Sequence, residues 1–138
     1  FVGAPFMALG RDEAEVAQAK EKLRRQISFY GSTRSYHSVF AHHGWDDVGE
    51  RLVALSREGR WEQMPALVSD AMLDTFAIVG LLNELPAKLA ARYGGLVDAV
   101  NVVFGPPYAA LQPRQRDLFV RLGPVLPALQ LIPAAGGR

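Results

Sequence analysis

Residues 27–37 carry more side chains able to contact a ligand than any other run of this sequence. The run reads Ile-Ser-Phe-Tyr-Gly-Ser-Thr-Arg-Ser-Tyr-His and combines hydroxyl, guanidinium and imidazole groups. Such groups can orient a bound molecule by hydrogen bonds and charge. The residues that we predict to contact a ligand are Tyr30, Ser32, Thr33, Arg34, Tyr36 and His37.

The segment 28–45 is predicted to be a long, ordered connection between two helices. Connections of eighteen residues are usually functional or disordered, and the aromatic and imidazole rings argue against disorder. We expect this segment at the carboxyl ends of the flanking strands, because α/β sheets and barrels bind their ligands there.

A helix is predicted over 12–27, ahead of this segment. Asp12 and Glu15 have capping-box spacing. The apolar positions that recur at helical intervals are Val16, Ala19, Leu23 and Ile27.

Two apolar runs are predicted to be parallel, adjacent strands, because they are joined through helices. One ends at Gly10 and begins regularly only at Phe6, since Pro5 cannot donate to a strand ladder. The other is the valine-rich run 96–104. The run 76–80 is either a brief strand or an extended lead into the next helix.

Four more helices are predicted. Asp46 or Asp47 caps the first, which stops near Gly59. The others span 61–75, 83–93 with Asn83 as its cap, and 113–122.

Other kinds of site are weaker interpretations. His37, His42 and His43 lack a completing carboxylate, and adjacent histidines in an extended segment point opposite ways, so structural histidines are favoured over a metal site. Ser32 or Ser35 with His37 could form a hydrolase pair, but neither serine lies in a nucleophile elbow. The glycine patterns match no nucleotide-binding fingerprint.

Composition indicates one ordinary domain over 1–138. The net charge of +1 removes the main electrostatic argument for a nucleic-acid or membrane partner. The absence of cysteine excludes disulfides and thiolate sites. We expect a cytoplasmic location, and we interpret the first residue, Phe1, as a sign of a longer or processed product.

Several blocks together resemble one enzyme family. The blocks are Phe6-Met7-Ala8-Leu9-Gly10, Arg25-Gln26-Ile27-Ser28-Phe29-Tyr30-Gly31-Ser32-Thr33, His43-Gly44-Trp45, Gly59-Arg60-Trp61, Ile78-Val79-Gly80 and Arg92-Tyr93-Gly94-Gly95-Leu96-Val97-Asp98. Over about residues 1–105 the sequence is similar to the carboxyl-terminal part of luciferase-like monooxygenases, in particular their F420-dependent oxidoreductase branch. The Phe-Tyr-Gly-Ser-Thr block is the most distinctive part.

The resemblance implies an α/β fold, namely part of a (β/α)8 TIM barrel: its last two or three parallel strands, their helices and an insertion. It implies F420 or FMN as cofactor, hydride exchange with a small-molecule substrate, and the remainder of the barrel or a homo-oligomer as partner. It assigns no catalytic residue here. The alternative is a non-catalytic α/β binding or oligomerisation module derived from the barrel.

Overall fold

The computed structural model describes residues 2–97 and 99–100 of the chain. Its elements are β1 (Val2–Gly3), β2 (Phe6–Gly10), α1 (Glu13–Gly31), α2 (His37–His42), α3 (Asp46–Arg57), α4 (Asp70–Phe76), β3 (Ala77–Leu81), α5 (Leu85–Tyr93) and β4 (Ala99–Val100), with 3-10 turns at Arg34–Tyr36, Trp61–Leu67 and Leu82–Glu84. The described part is therefore α/β, with mostly helices and short parallel strands. This confirms the predicted fold class at that level.

The strands pair in parallel, as predicted, but with different neighbours. β2 pairs with β3, so that Phe6 lies opposite Ala77 and Gly10 opposite Leu81. The run 76–80 is therefore a true strand. β4 pairs in parallel with β1, so that Val2 lies opposite Ala99 and Gly3 opposite Val100. The described part of the predicted strand 97–104 therefore adjoins the first apolar run, at 2–3. Positions 101–104 and the predicted helix 113–122 lie outside the described residues.

Helices cover both faces of the β2–β3 pair. Ala8 and Ala77 point into one core together with buried residues of α1, α2, α3 and α4. Met7 and Leu9, whose side chains alternate with that of Ala8, point to the other face. There they pack against a second core formed by Ile78, Leu82, Leu85 and Leu89. Burial on both faces explains why these short strands are almost continuously apolar.

Helix α1 begins as predicted and ends later than predicted. The Asp12 side chain accepts a hydrogen bond from the Glu15 amide at 2.9 Å, which confirms the cap. The helix continues past 27 to Gly31, and the Ser32 amide closes its last turn on the Ser28 carbonyl at 3.0 Å. A methyl group at Gly31 would lie 2.6 Å from both Phe40 Cζ and Leu52 Cδ1, so the absence of a side chain lets α2 and α3 approach α1 closely.

The caps predicted for two other helices are wrong. The N-cap of α3 is Trp45, and both aspartates lie in the first turn, where their charge favours the positive helix end. Asn83 lies inside a 3-10 turn, and α5 begins after Glu84.

The single helix predicted over 61–75 is also wrong. Pro65 lies in the 3-10 turn, where its missing N–H is tolerated more easily than inside an α-helix. Val68 is extended, with ψ 107°. A new helix then starts at Ser69, whose hydroxyl accepts from the Met72 amide at 3.2 Å.

Asp70 connects the start of α4 to α1. It accepts a hydrogen bond from Lys20 Nζ at 2.7 Å and forms an ion pair with Arg24. The Lys20 hydrogen bond, followed by that of Arg24, lowers the pKa of the Asp70 carboxyl from its ordinary value of 3.8.

Gly31→Ala should destabilise the protein. The added methyl overpacks two buried side chains, which costs about 1–3 kcal/mol, and this exceeds the helix-propensity gain of about 1 kcal/mol. Gly49→Ala in α3 is the matched control, because a methyl there would meet the His37 ring only at 3.5 Å, an ordinary contact. Urea unfolding should show a loss for Gly31→Ala and no loss for Gly49→Ala. Equal stability of the two variants would contradict the close approach.

The contribution of Asp70 to stability should depend on pH. Because its pKa is lower in the folded than in the unfolded state, the carboxylate stabilises the fold above about pH 4, and this stabilisation disappears as the pH falls through the lowered pKa. The difference in unfolding free energy between wild type and Asp70→Asn should therefore shrink below about pH 4. Glu50→Gln, at an exposed position on α3, is the control. A difference for Asp70→Asn that stays constant down to pH 2.5 would contradict the ion pairs.

Candidate functional site

A pocket of about 230 Å³ lies beside the last turn of α1. Among the described residues that line it, the phenol oxygens of two tyrosines are the only polar side-chain atoms. The lining residues are Phe6, Ile27, Tyr30, Tyr36, Val39, Phe40 and Phe76. We call this cavity the aromatic pocket.

The aromatic pocket lies at the amino ends of the strands. Helix α1 follows β2 and packs back along it, so its last turn returns to the start of that strand. The Tyr30 ring accordingly lies 5.7 Å from the ring of Phe6, the first residue of β2. Phe76 immediately precedes Ala77, the first residue of β3. The prediction that 28–45 lies at the carboxyl ends of the strands is therefore wrong.

The segment 28–45 is mostly helical, so the prediction of a long loop is also wrong. It contains the end of α1, a 3-10 turn and all of α2. Tyr36, Val39 and Phe40 have the i, i+3, i+4 spacing of one helix face, and all three line the aromatic pocket. This spacing is the signal by which the sequence could have indicated α2.

Two of the six predicted ligand contacts meet at the aromatic pocket. The rings of Tyr30 and Tyr36 are 5.2 Å apart and nearly perpendicular, an edge-to-face contact. Both tyrosines therefore pack against other rings as well as lining the cavity.

The other four predicted contacts do not line the aromatic pocket. The Ser32 hydroxyl donates to the Phe29 carbonyl at 2.7 Å and so helps to end α1. Thr33 and Arg34 are exposed in the turn that follows. The His37 ring lies against Gly49 of α3, and its Nε2 is buried with no hydrogen-bond partner among the described residues.

His42 and His43 lie at the end of α2, so the prediction of an extended segment there is wrong. The His43 ring stacks on Trp45 at 5.0 Å and meets the edge of Phe76 at 5.7 Å. In residues 2–97 and 99–100, no group of three or more His, Cys, Asp or Glu side chains could hold a metal ion.

The opposite edge, where β2 and β3 end, carries charged groups. Arg11 pairs with Glu15 just after β2. After β3, Lys88 Nζ lies 3.2 Å from the Glu84 carboxylate and donates to the Val79 carbonyl at 2.6 Å. The Leu81 amide donates to Glu84 at 3.0 Å. That hydrogen bond, followed by the one from Lys88, lowers the pKa of Glu84.

Five residues of the aromatic pocket were not predicted as site residues. They are apolar, and in a sequence an apolar residue that lines a cavity looks the same as one that fills a core. They are Phe6, Ile27, Val39, Phe40 and Phe76.

Comparisons with known proteins find relatives in mycobacteria. Over 99 residues, or 72% of this chain, the sequence is 44% identical to uncharacterized protein Mb1395 of Mycobacterium bovis and to uncharacterized proteins MT1405 and Rv1360 of Mycobacterium tuberculosis. The match spans 29% of the length of these curated relatives. No protein-family model matches the chain. No solved structure matches it either.

Tyr30 should contribute to stability through its ring and little through its hydroxyl. Tyr30→Leu loses ring contacts with Phe6, Phe29 and Tyr36, each worth about 0.5–1.5 kcal/mol, so we expect a loss of about 1.5–4.5 kcal/mol. Tyr30→Phe keeps the ring and should change the unfolding free energy by less than about 0.5 kcal/mol. Thermal and urea unfolding check both values. Equal losses in the two variants would show that the hydroxyl has an essential partner.

Proposed function

We propose that this chain is the carboxyl-terminal part of a luciferase-like oxidoreductase that exchanges hydride between F420 or FMN and a small organic substrate. The observation that carries the proposal is the parallel pairing of β2 with β3 across a helical crossover, within the sequence blocks that resemble this family. The cofactor would supply the redox chemistry, and the protein would bind and orient it and exclude water.

The size of the relatives supports a larger catalytic domain. Because 99 residues are 29% of their length, these proteins have about 340 residues. A (β/α)8 barrel takes about 250 residues, and up to more than 400 with insertions. A barrel that uses this chain for its last strands fits within such a protein. We propose the cytoplasm as its location.

The barrel architecture supports a cofactor site at the carboxyl edge of the strands. Barrels bind their ligands at this edge, and F420 and FMN both carry phosphate. Arg11 and Lys88 lie at this edge, and each pairs there with a glutamate. The six predicted contacts lie at or just beyond the other end of α1, so in the proposed enzyme they would contact a molecule other than the cofactor or stabilise the fold at a distance from it. They are Tyr30, Ser32, Thr33, Arg34, Tyr36 and His37.

A complete barrel would require a different position for α5. In a barrel one face of each strand points inward and is covered by side chains of other strands. In this structure Leu85 and Leu89 of α5 cover that second face at Met7 and Leu9. We propose that α5 moves to the outer face when the remaining strands are present.

The second candidate function is a non-catalytic assembly module. The exposure of two large aromatic side chains favours it: Phe29 is 58% and Trp61 49% exposed, and their rings are 6.5 Å apart. Such surfaces often mark contacts with another chain, here the rest of a barrel or a second copy.

A chimera tests the proposed enzyme. The mycobacterial protein Rv1360 should purify with, or take up, F420 or FMN, which the visible absorption of the bound ring reveals. A chimera in which this chain replaces the matched segment of Rv1360 should still take up the cofactor. Unaltered Rv1360 is the control. Failure of the parent to bind either cofactor would refute the proposal. Loss of cofactor uptake in a folded chimera would favour the assembly module. Sedimentation of this chain and of its variant Trp61→Ser would then test whether the exposed rings contact a second copy.

A further inference from the structure

The aromatic pocket is separate from the cofactor edge. It lies at the amino ends of β2 and β3, whereas Arg11 and Lys88 lie at their carboxyl ends. Its occupant is therefore a different molecule from the proposed cofactor. Binding in the aromatic pocket does not require the proposed enzyme activity.

The inner wall of the aromatic pocket is formed by tightly packed core residues. Ile27 and Phe40 are each 3% exposed and belong to the main core. The rings of Phe40 and Phe76 lie 5.6 Å apart, and the packing at Gly31 fixes Phe40 against α1. A ligand would therefore enter a cavity whose walls need little rearrangement, which lowers the entropic cost of binding.

The mouth of the aromatic pocket is open to solvent. Tyr36 and Val39 both line it, and each is 43% exposed. A molecule can therefore enter from this side without unfolding of the core.

The lining selects the chemical class of the occupant. None of the lining residues in the described part of the chain is charged, so a buried ionic group would lose its hydration without compensation. Phe6, Tyr30, Tyr36 and Phe76 offer ring faces and edges to another aromatic ring. A cavity of about 150 Å³ holds benzene, so 230 Å³ is sufficient for a somewhat larger ring system.

We propose that the aromatic pocket binds a small uncharged aromatic molecule of one or two fused rings. The rings contact Phe6 and Phe76 in the interior. The phenol groups of Tyr30 and Tyr36 provide hydrogen bonds for one polar group on the ligand.

Indole is a suitable probe because it is uncharged, bicyclic and carries a single N–H donor. Ligand-observed NMR and calorimetry on the purified chain should show saturable binding with a Kd below about 1 mM. Indole-2-carboxylate, which adds a negative charge to the same ring system, should bind at least about tenfold more weakly.

Val39→Trp provides the structural test. The larger side chain fills the mouth of the aromatic pocket from an exposed position, so the core stays intact and indole binding should weaken at least about tenfold. Ala41→Trp is the matched control, since Ala41 is exposed on the same helix and does not line the cavity. It should leave the Kd unchanged within about twofold.

Three results would overturn the proposal. One is the absence of saturable indole binding to the wild type, and another is equal binding by Val39→Trp and wild type. The third is a dimer that dissociates on Val39→Trp and does not bind indole, which would show that a second copy fills the cavity. Because neither F420 nor FMN is present, these results are independent of the cofactor experiment.

Discussion

The helical layer depends on the close approach at the last turn of α1. Gly31 presents no side chain to Phe40 and Leu52, so α2 and α3 can pack directly against α1. Protein interiors are packed as densely as organic crystals, so even one methyl group at such a contact must displace its neighbours. Through Phe40 this single contact fixes the wall of the aromatic pocket, and with it the orientation of Val39 on α2 and of Tyr36 in the turn before α2.

The two ends of the β2–β3 pair have opposite chemical character. The amino end is a cavity of phenylalanine and tyrosine rings. The carboxyl end holds ion pairs, among them Lys88 with Glu84. The amino end therefore disfavours an ionic group, because an apolar cavity penalises its burial strongly. Among the described residues, no helix is long and apolar enough to cross a membrane.

Helix α5 covers a face of the strands that would be covered differently in the proposed barrel. It shields Met7 and Leu9 on the second face of the strands, where a complete barrel would place side chains of other strands. The same apolar surface can be buried in either way, since the hydrophobic effect is not directional.

The sequence by itself determined the local features of this protein. Asp12 and Glu15 specify the start of α1, and the apolar runs specify parallel strands, because capping and strand burial depend on residues close in sequence or on residue type. The density of hydroxyl and aromatic groups also indicates 28–45 as a candidate site segment, and two of its tyrosines line the aromatic pocket. The tertiary structure alone decided where that segment lies relative to the strands and which distant residues it contacts. Phe6, Phe40 and Phe76 are distant in sequence, and only the return of α1 along β2 brings them to one cavity. Pairing of β2 with β3 likewise depends on contacts across about seventy residues, which no local pattern encodes.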